Sequence, residues 1–185
     1  DYSLLQQACE RLVEHHAILR TGFSWEHCDE PLQLVYRSHF AQTIFFDWRR
    51  FEENERREKI NNILQQERSS GFDLISPPMK WAVIQVDDKA FQLIWSFHHA
   101  LLDAWSFAVL VDELFSIYES EVRQDEIKYS PCRPYKDYIN FVFSQDKNRQ
   151  KKYWMGRLSD LAGPPPLNMF RQDNSIIEKD LQKIK

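Results

Sequence analysis

The residues of this chain best suited to chemistry are His98, His99 and Asp103, set in the run Phe97-His98-His99-Ala100-Leu101-Leu102-Asp103-Ala104-Trp105-Ser106. Titratable groups in such apolar surroundings must be hydrogen-bonded or paired to offset their desolvation, which marks the cluster as a candidate site. An imidazole here can act as a general base near neutral pH, orient a nucleophile, or stabilise developing charge. The stretch Ala90 to Phe97 reads as a buried strand, and the stretch from Trp105 to Tyr118 has helical spacing. The histidines therefore fall at a strand end, where α/β folds place their chemistry.

Geometry narrows the options. Consecutive residues on a strand face opposite sides, so His98 and His99 are not expected to converge; one should face a cavity and the other pack inward. Zinc sites commonly put two histidines on one helical face or combine CxxC pairs with histidines, and neither pattern occurs, so no metal site is expected. Asp103 precedes a helical run, which suits an N-cap, an acid tied to a cation, or both. A hydrolase triad of Ser96, His98 and Asp103 is a weaker alternative: Ser96 and His98 share a strand face, but the sequence has no nucleophile elbow.

The elements that must position these residues follow from periodicity. Leu5, Cys9, Leu12, Val13 and His16 recur at helical spacing, and the pattern ends near Leu19, where the chain turns strand-like. Leu32 to Tyr36 and Thr43 to Asp47 read as strands. Glu52 to Ser69 is charged, with Ile60, Ile63 and Leu64 as apolar anchors, and reads as a surface helix laying a narrow stripe on the sheet. Met79 to Val86 and Ala90 to Phe97, joined by Asp87-Asp88-Lys89, form a hairpin signal in which Trp81, Ile84, Phe91 and Trp95 supply core. A polar loop is expected around Glu121 to Pro131, followed by helices over Tyr135 to Phe143 and Asp146 to Leu158. Tyr135 and Tyr138 read as packing residues. Gly163-Pro164-Pro165-Pro166 cannot continue a helix and reads as extended linker.

Composition bounds the function classes. A chain of 185 residues, 43% hydrophobic and 14% aromatic, can bury a core and is not expected to be disordered. A net charge of -4, with Lys and Arg scattered among Asp and Glu, gives no footprint for nucleic acid. No apolar run approaches the ~20 residues of a membrane helix, and no secretory signal opens the chain. Cys9, Cys28 and Cys132 form no spaced pairs, and an odd count suits reduced thiols and a cytoplasmic location.

The run HHxxxD followed by Ala-Trp-Ser resembles the HHxxxDG signature of condensation domains of nonribosomal peptide synthetases, within the CoA-dependent, chloramphenicol acetyltransferase-like acyltransferase superfamily. Three further segments fall in that family's order. His16-Ala17-Ile18-Leu19-Arg20-Thr21-Gly22-Phe23 resembles the RHExLRTxF motif, Gly71-Phe72-Asp73-Leu74 with Pro78 the FDL…P segment, and Tyr135-Lys136-Asp137-Tyr138 the YxDY motif. Ala104 stands where the family has glycine, a mild change unless the position needs positive φ. His15 and Ala17 stand where it has arginine and glutamate, so a salt bridge made there is expected to be absent.

The resemblance implies an α/β fold, a two-layer sandwich with a mixed sheet packed against helices. Residues 1–160 are the expected N-terminal subdomain of a condensation domain, without its first strand and motif, and 161–185 a linker toward a C-terminal subdomain. The implied reaction is amide bond formation between a carrier-bound acyl thioester and a carrier-bound amine, with His99 beside the amine. His98 and Asp103 are then scaffold, Arg20 is the candidate partner of Asp103 within this chain, and Ala104, Trp105 and Ser106 shape the cavity. No cofactor is expected to bind directly, since substrates ride on the 4'-phosphopantetheine of carrier domains. The implied partners are donor and acceptor carrier domains, the C-terminal subdomain and an adjacent adenylation domain. The isolated chain is expected to condense nothing efficiently. The alternatives are an epimerization domain, a free-standing CoA-dependent acyltransferase, or a silent carrier-docking module; heterocyclization domains carry aspartate in place of the histidine pair.

Overall fold

The computed structural model of the chain describes residues 1–26, 28–39, 43–161 and 163, so the expected linker at 161–185 lies almost wholly outside the described residues. Helix α1 (Tyr2–His15) starts where the Asp1 carboxylate accepts the Ser3 N–H at 2.8 Å, and it buries Leu5, Ala8, Cys9, Leu12 and Val13 on one face. A 3₁₀ turn (Ala17–Arg20) then feeds β1 (Thr21–Ser24), which pairs antiparallel with β2 (Leu32–Val35).

The central sheet is mixed. β3 (Thr43–Asp47) runs parallel to β4 (Met79–Gln85), and β4 runs antiparallel to β5 (Phe91–Phe97), in the order β3-β4-β5. The parallel pair requires a crossover, supplied by α2 (Glu53–Ser70). A reciprocal capping box between Glu52 and Glu55 opens that helix, and Gly71, at φ 64°, closes it. Ile60, Ile63 and Leu64 are half-buried rather than sealed, and polar ties hold α2 to the sheet. Arg56 donates to the Val86 carbonyl at 2.7 Å, and Ser96 Oγ donates to the Glu67 carboxylate.

Helix α3 (Ala104–Arg123) packs on α1, and together with β4 they enclose the core: Leu12, Leu19, Trp81, Val83, Leu114 and Ile117 are almost completely buried. Trp81 and Ile84 are sealed, while Phe91 and Trp95 are partly buried against the cluster, Trp95 stacking on Trp81 at 4.2 Å between ring centroids. The loop expected from Glu121 begins later, because α3 continues to Arg123 and ends at Gln124 in the left-handed region, φ 58°.

The chain divides into two compact units, Asp1–Tyr138 and Ile139–Lys185. The first holds everything above. In the second, α5 (Lys147–Arg157) starts from Asp146, whose carboxylate accepts the N–H groups of Asn148 and Arg149 at 2.9 and 3.0 Å. The boundary lies within α4 (Tyr135–Ser144). Tyr135 and Tyr138 do not pack into a core as expected; both are more than half exposed, and their rings contact each other at 5.5 Å.

Candidate active site

The histidine pair sits just past the end of β5, and backbone hydrogen bonds fix it there. The His98 N–H donates to the Pro78 carbonyl at 3.0 Å, and the Leu101 N–H donates to the His98 carbonyl at 2.9 Å, which closes a turn over residues 98–101. Leu101 and Leu102, 5% and 3% exposed, anchor that turn in the core. The two imidazoles are thereby lifted out to the surface.

This changes one expectation. Strand alternation does not govern His98 and His99, because both lie beyond the last strand residue, and both are exposed. His98 does not pack inward. Its Nδ1 accepts the Ala100 N–H at 3.0 Å, and its ring stands edge-on to Phe72 at 6.5 Å. His99 is braced by the Phe97 ring, edge-on at 6.1 Å, and its Nδ1 lies 3.2 Å from the Leu102 carbonyl oxygen. A carbonyl only accepts, so Nδ1 carries a proton, and the tautomer of the neutral ring is the one with its lone pair on Nε2. None of the described residues hydrogen-bonds that Nε2.

Asp103 is the N-cap of α3. Its carboxylate accepts the Ser106 N–H at 2.7 Å and the Ser106 hydroxyl at 2.6 Å, and these bonds hold it below the usual carboxylate range. Among the described residues no cation pairs with it. Arg20, the expected partner, is engaged elsewhere. Its guanidinium donates to the carbonyls of Val13 at 3.0 Å, Glu14 and Arg37 at 3.4 Å, and Tyr36, joining the end of α1 to the end of β2. Arginine's five-donor fork suits such a cluster of carbonyls better than a single distant acid.

Ala104 is the first residue of α3 with ordinary negative φ, so the missing glycine imposes no strain. Trp105 is 83% exposed, and Ser106 is committed to the cap. The Ser96-His98-Asp103 triad is not assembled: Ser96 bonds Glu67, Asp103 bonds Ser106, and His98 bonds Ala100.

The RHExLRTxF-like segment holds a feature the sequence reading missed. His16 Nε2 lies 2.8 Å from Glu113 Oε2, and His15 Nε2 lies 3.7 Å from Glu113 Oε1. Neither His15 nor Ala17 restores the arginine–glutamate pair of the motif, and the contact made here is instead a His16–Glu113 hydrogen bond that reaches across to α3. A signal was available: Glu113 falls on the apolar stripe Leu110, Leu114, Ile117, and an acid on a buried stripe needs a partner.

The comparisons with known proteins agree with this geometry. The family model described as Condensation domain matches residues 1–181. Gramicidin S synthase 2 of Brevibacillus brevis is 33% identical over 159 residues, 85% of this chain but 4% of that protein. Surfactin synthase subunit 3 of Bacillus subtilis (strain 168) is 31% identical over 160 residues, 86% of this chain and 12% of that one. The chain thus spans a small part of the curated relatives it matches. In fold it is similar to the epimerization domain of the third module of tyrocidine synthetase B, with TM-score 0.73, 22% identity, and coverage of 89% of this chain and 38% of that one. It is likewise similar to the starter condensation domain of rhizomide synthetase RzmA, with TM-score 0.74, 11% identity, and coverage of 89% and 40%. With the HHxxxD turn, the mixed sheet and the family model in agreement, the chain belongs to the condensation-domain family.

Proposed function

We propose that this chain is the histidine-bearing lobe of a condensation domain of a nonribosomal peptide synthetase, joining a carrier-bound acyl thioester to a carrier-bound amine. The observation that carries the reading is the setting of His99: exposed, with Nδ1 held by the Leu102 carbonyl and Nε2 free of hydrogen bonds to the described residues. The acceptor amine must be unprotonated and within reach of the thioester carbonyl. Nε2 is set to accept a proton or a hydrogen bond from that amine as nitrogen attacks carbon. The tetrahedral intermediate then collapses to the amide and releases the carrier thiol, which takes up the proton.

His98 and Asp103 serve this step indirectly, one through the turn and the other through the cap of α3. Substrates arrive on the 4'-phosphopantetheine arms of donor and acceptor carrier domains, so the acyl and amine groups need no cofactor bound directly to this lobe. A C-terminal subdomain completes the site, an adenylation domain supplies activated substrate, and residues 1–185 alone condense nothing efficiently, because one lobe cannot position both arms. No helix is long and apolar enough to cross a membrane among the described residues, and we place the domain in the cytoplasm.

The test is His99→Ala in the full-length synthetase, with donor and acceptor carriers loaded as thioesters and product followed by mass spectrometry. Loss of amide with loading intact supports the assignment. Unchanged amide formation leaves a docking role, and solvent deuterium entering an α-carbon without amide formation moves the assignment to epimerization.

A further inference from the structure

We propose that His15, His16 and Glu113 form a binding site for one divalent d-block cation, of which Zn2+ is the representative, bridging α1 and α3. His15 is the last residue of α1 and His16 its extended C-cap, at φ -97° and ψ 109°. That break in the backbone brings two consecutive imidazoles to 4.7 Å between ring centroids, where a continuous strand would have sent them to opposite faces. Glu113 reaches them across the chain, 97 positions from His16, at 2.8 Å from His16 and 3.7 Å from His15.

All three donor atoms lie within 4.8 Å of one another. Donors around a tetrahedral ion at ~2.0–2.1 Å lie ~3.3 Å apart, so atoms already gathered within 4.8 Å of one another need only small side-chain rotations to close on one ion. Two imidazole nitrogens and one carboxylate oxygen suit Zn2+, Co2+ or Ni2+ rather than Mg2+ or Ca2+, which prefer oxygen.

A second, independent observation points into the site. Glu113 is 8% exposed, and its Oε1 is buried without a hydrogen bond among the described residues, His15 Nε2 at 3.7 Å being beyond hydrogen-bond reach. A buried carboxylate oxygen without a partner costs stability, and a cation between it and the imidazoles removes that cost. The surroundings suit this role. His15 stacks on Tyr129 at 4.3 Å, and the free ring nitrogen of His16, Nδ1, is 3.6 Å from Cys132 Sγ, which orients the ring from outside the donor set. The ion must displace the Ser130 carbonyl, 3.1 Å from His15 Nε2, and the Glu113 carboxylate, 2.8 Å from His16 Nε2, and each imidazole gives up its Nε2 proton to solvent or to its other ring nitrogen as it ligates. Three protein ligands leave a fourth position for water. The inference is independent of the acyl-transfer reading, because it concerns the brace between two helices.

The experiment uses the chelator-treated chain. Isothermal titration with Zn2+ should give one equivalent bound, thermal unfolding should shift upward with free Zn2+ by mass action, and Co2+ should give the visible d–d bands of a four-coordinate ion. His15→Gln should weaken binding at least ~10-fold, since even residues that only orient a ligand contribute ~10–100-fold. The double variant His98→Ala/His99→Ala, remote from the three donors, should bind as before. Absence of a stoichiometric site in the unaltered chain overturns the proposal whatever the variants do. Binding that survives His15→Gln, or that is lost in the His98/His99 variant, also overturns it.

Discussion

His99 Nδ1 lies 3.2 Å from the carbonyl oxygen of Leu102, a residue 3% exposed, so the ring's tautomer is set by a backbone group that cannot move without opening the core. The catalytic prediction follows from that tie. Because the side chain is exposed, His99→Ala should leave the far-ultraviolet circular dichroism and the melting temperature almost unchanged. It should also lower the amide-forming rate in the full-length synthetase by ~10²–10⁴, the range for loss of a positioned proton acceptor.

Gly22 is required by close approach. A Cβ there would stand 1.8 Å from the Ile75 carbonyl oxygen, and the Phe23 N–H donates to the neighbouring Leu74 carbonyl at 2.6 Å. The β1 backbone is pressed against the segment 74–75, and neither can yield without breaking that bond. Gly22→Ala should destabilise the chain by about 1–3 kcal/mol or more, read as a lowered denaturant midpoint.

The α1–α3 interface should respond to truncation at its centre. Leu114 is fully buried in the cluster shared with Leu12 and Trp81. Leu114→Ala should cost about 2–5 kcal/mol and lower the melting temperature by roughly 2–4 °C for each kcal/mol. Val109→Ala, on the exposed face of the same helix, should change little.

Stability should fall on the acid side for a nameable reason. The Asp47 carboxylate, bonded by the Arg49 side chain and then by its N–H, is held down to about 2, against ~3.9 in an unfolded chain. The folded state therefore binds fewer protons than the unfolded state between those values. The contribution is present above pH ~4 and fades as pH falls toward 2. Unfolding curves of the unaltered chain and Asp47→Asn should differ at pH 6 and converge near pH 2. High salt should shrink the difference at pH 6, since the pair is exposed.

Two of the three cysteines, Cys9 and Cys132, should differ in reactivity. Cys9 lies inside α1 with its thiol pushed far up by burial, whereas Cys132 is exposed. A thiol-reactive chromophore should label Cys132 quickly, and Cys9 only at the rate of unfolding, as followed by peptide mass.

The periodic elements were legible because each depends on near neighbours. The two β-rich runs of Met79 to Phe97, joined by Asp87-Asp88-Lys89, placed the hairpin within a residue or two of its ends, and Asp103 before an apolar helix marked its own role as cap. The HHxxxD run marked the candidate site from residue types alone. Surface exposure of Tyr135 and Tyr138 was not legible, since an aromatic-rich helical stripe reads as packing whether or not another surface covers it.

By itself the sequence determined the order of elements, the mixed α/β class and the position of the histidine pair, because propensity, capping and hydrophobic period act over a few residues. Only the tertiary structure decided the pairings of polar groups. It gave Arg20 to the carbonyls of Val13 and Tyr36 rather than to Asp103, set His16 against Glu113 across 97 positions, and lifted both His98 and His99 out of the strand into a turn. A charged side chain carries no periodicity that names its partner; the partner is whichever complementary group the packed backbone brings within ~3 Å, and that is settled when the core closes.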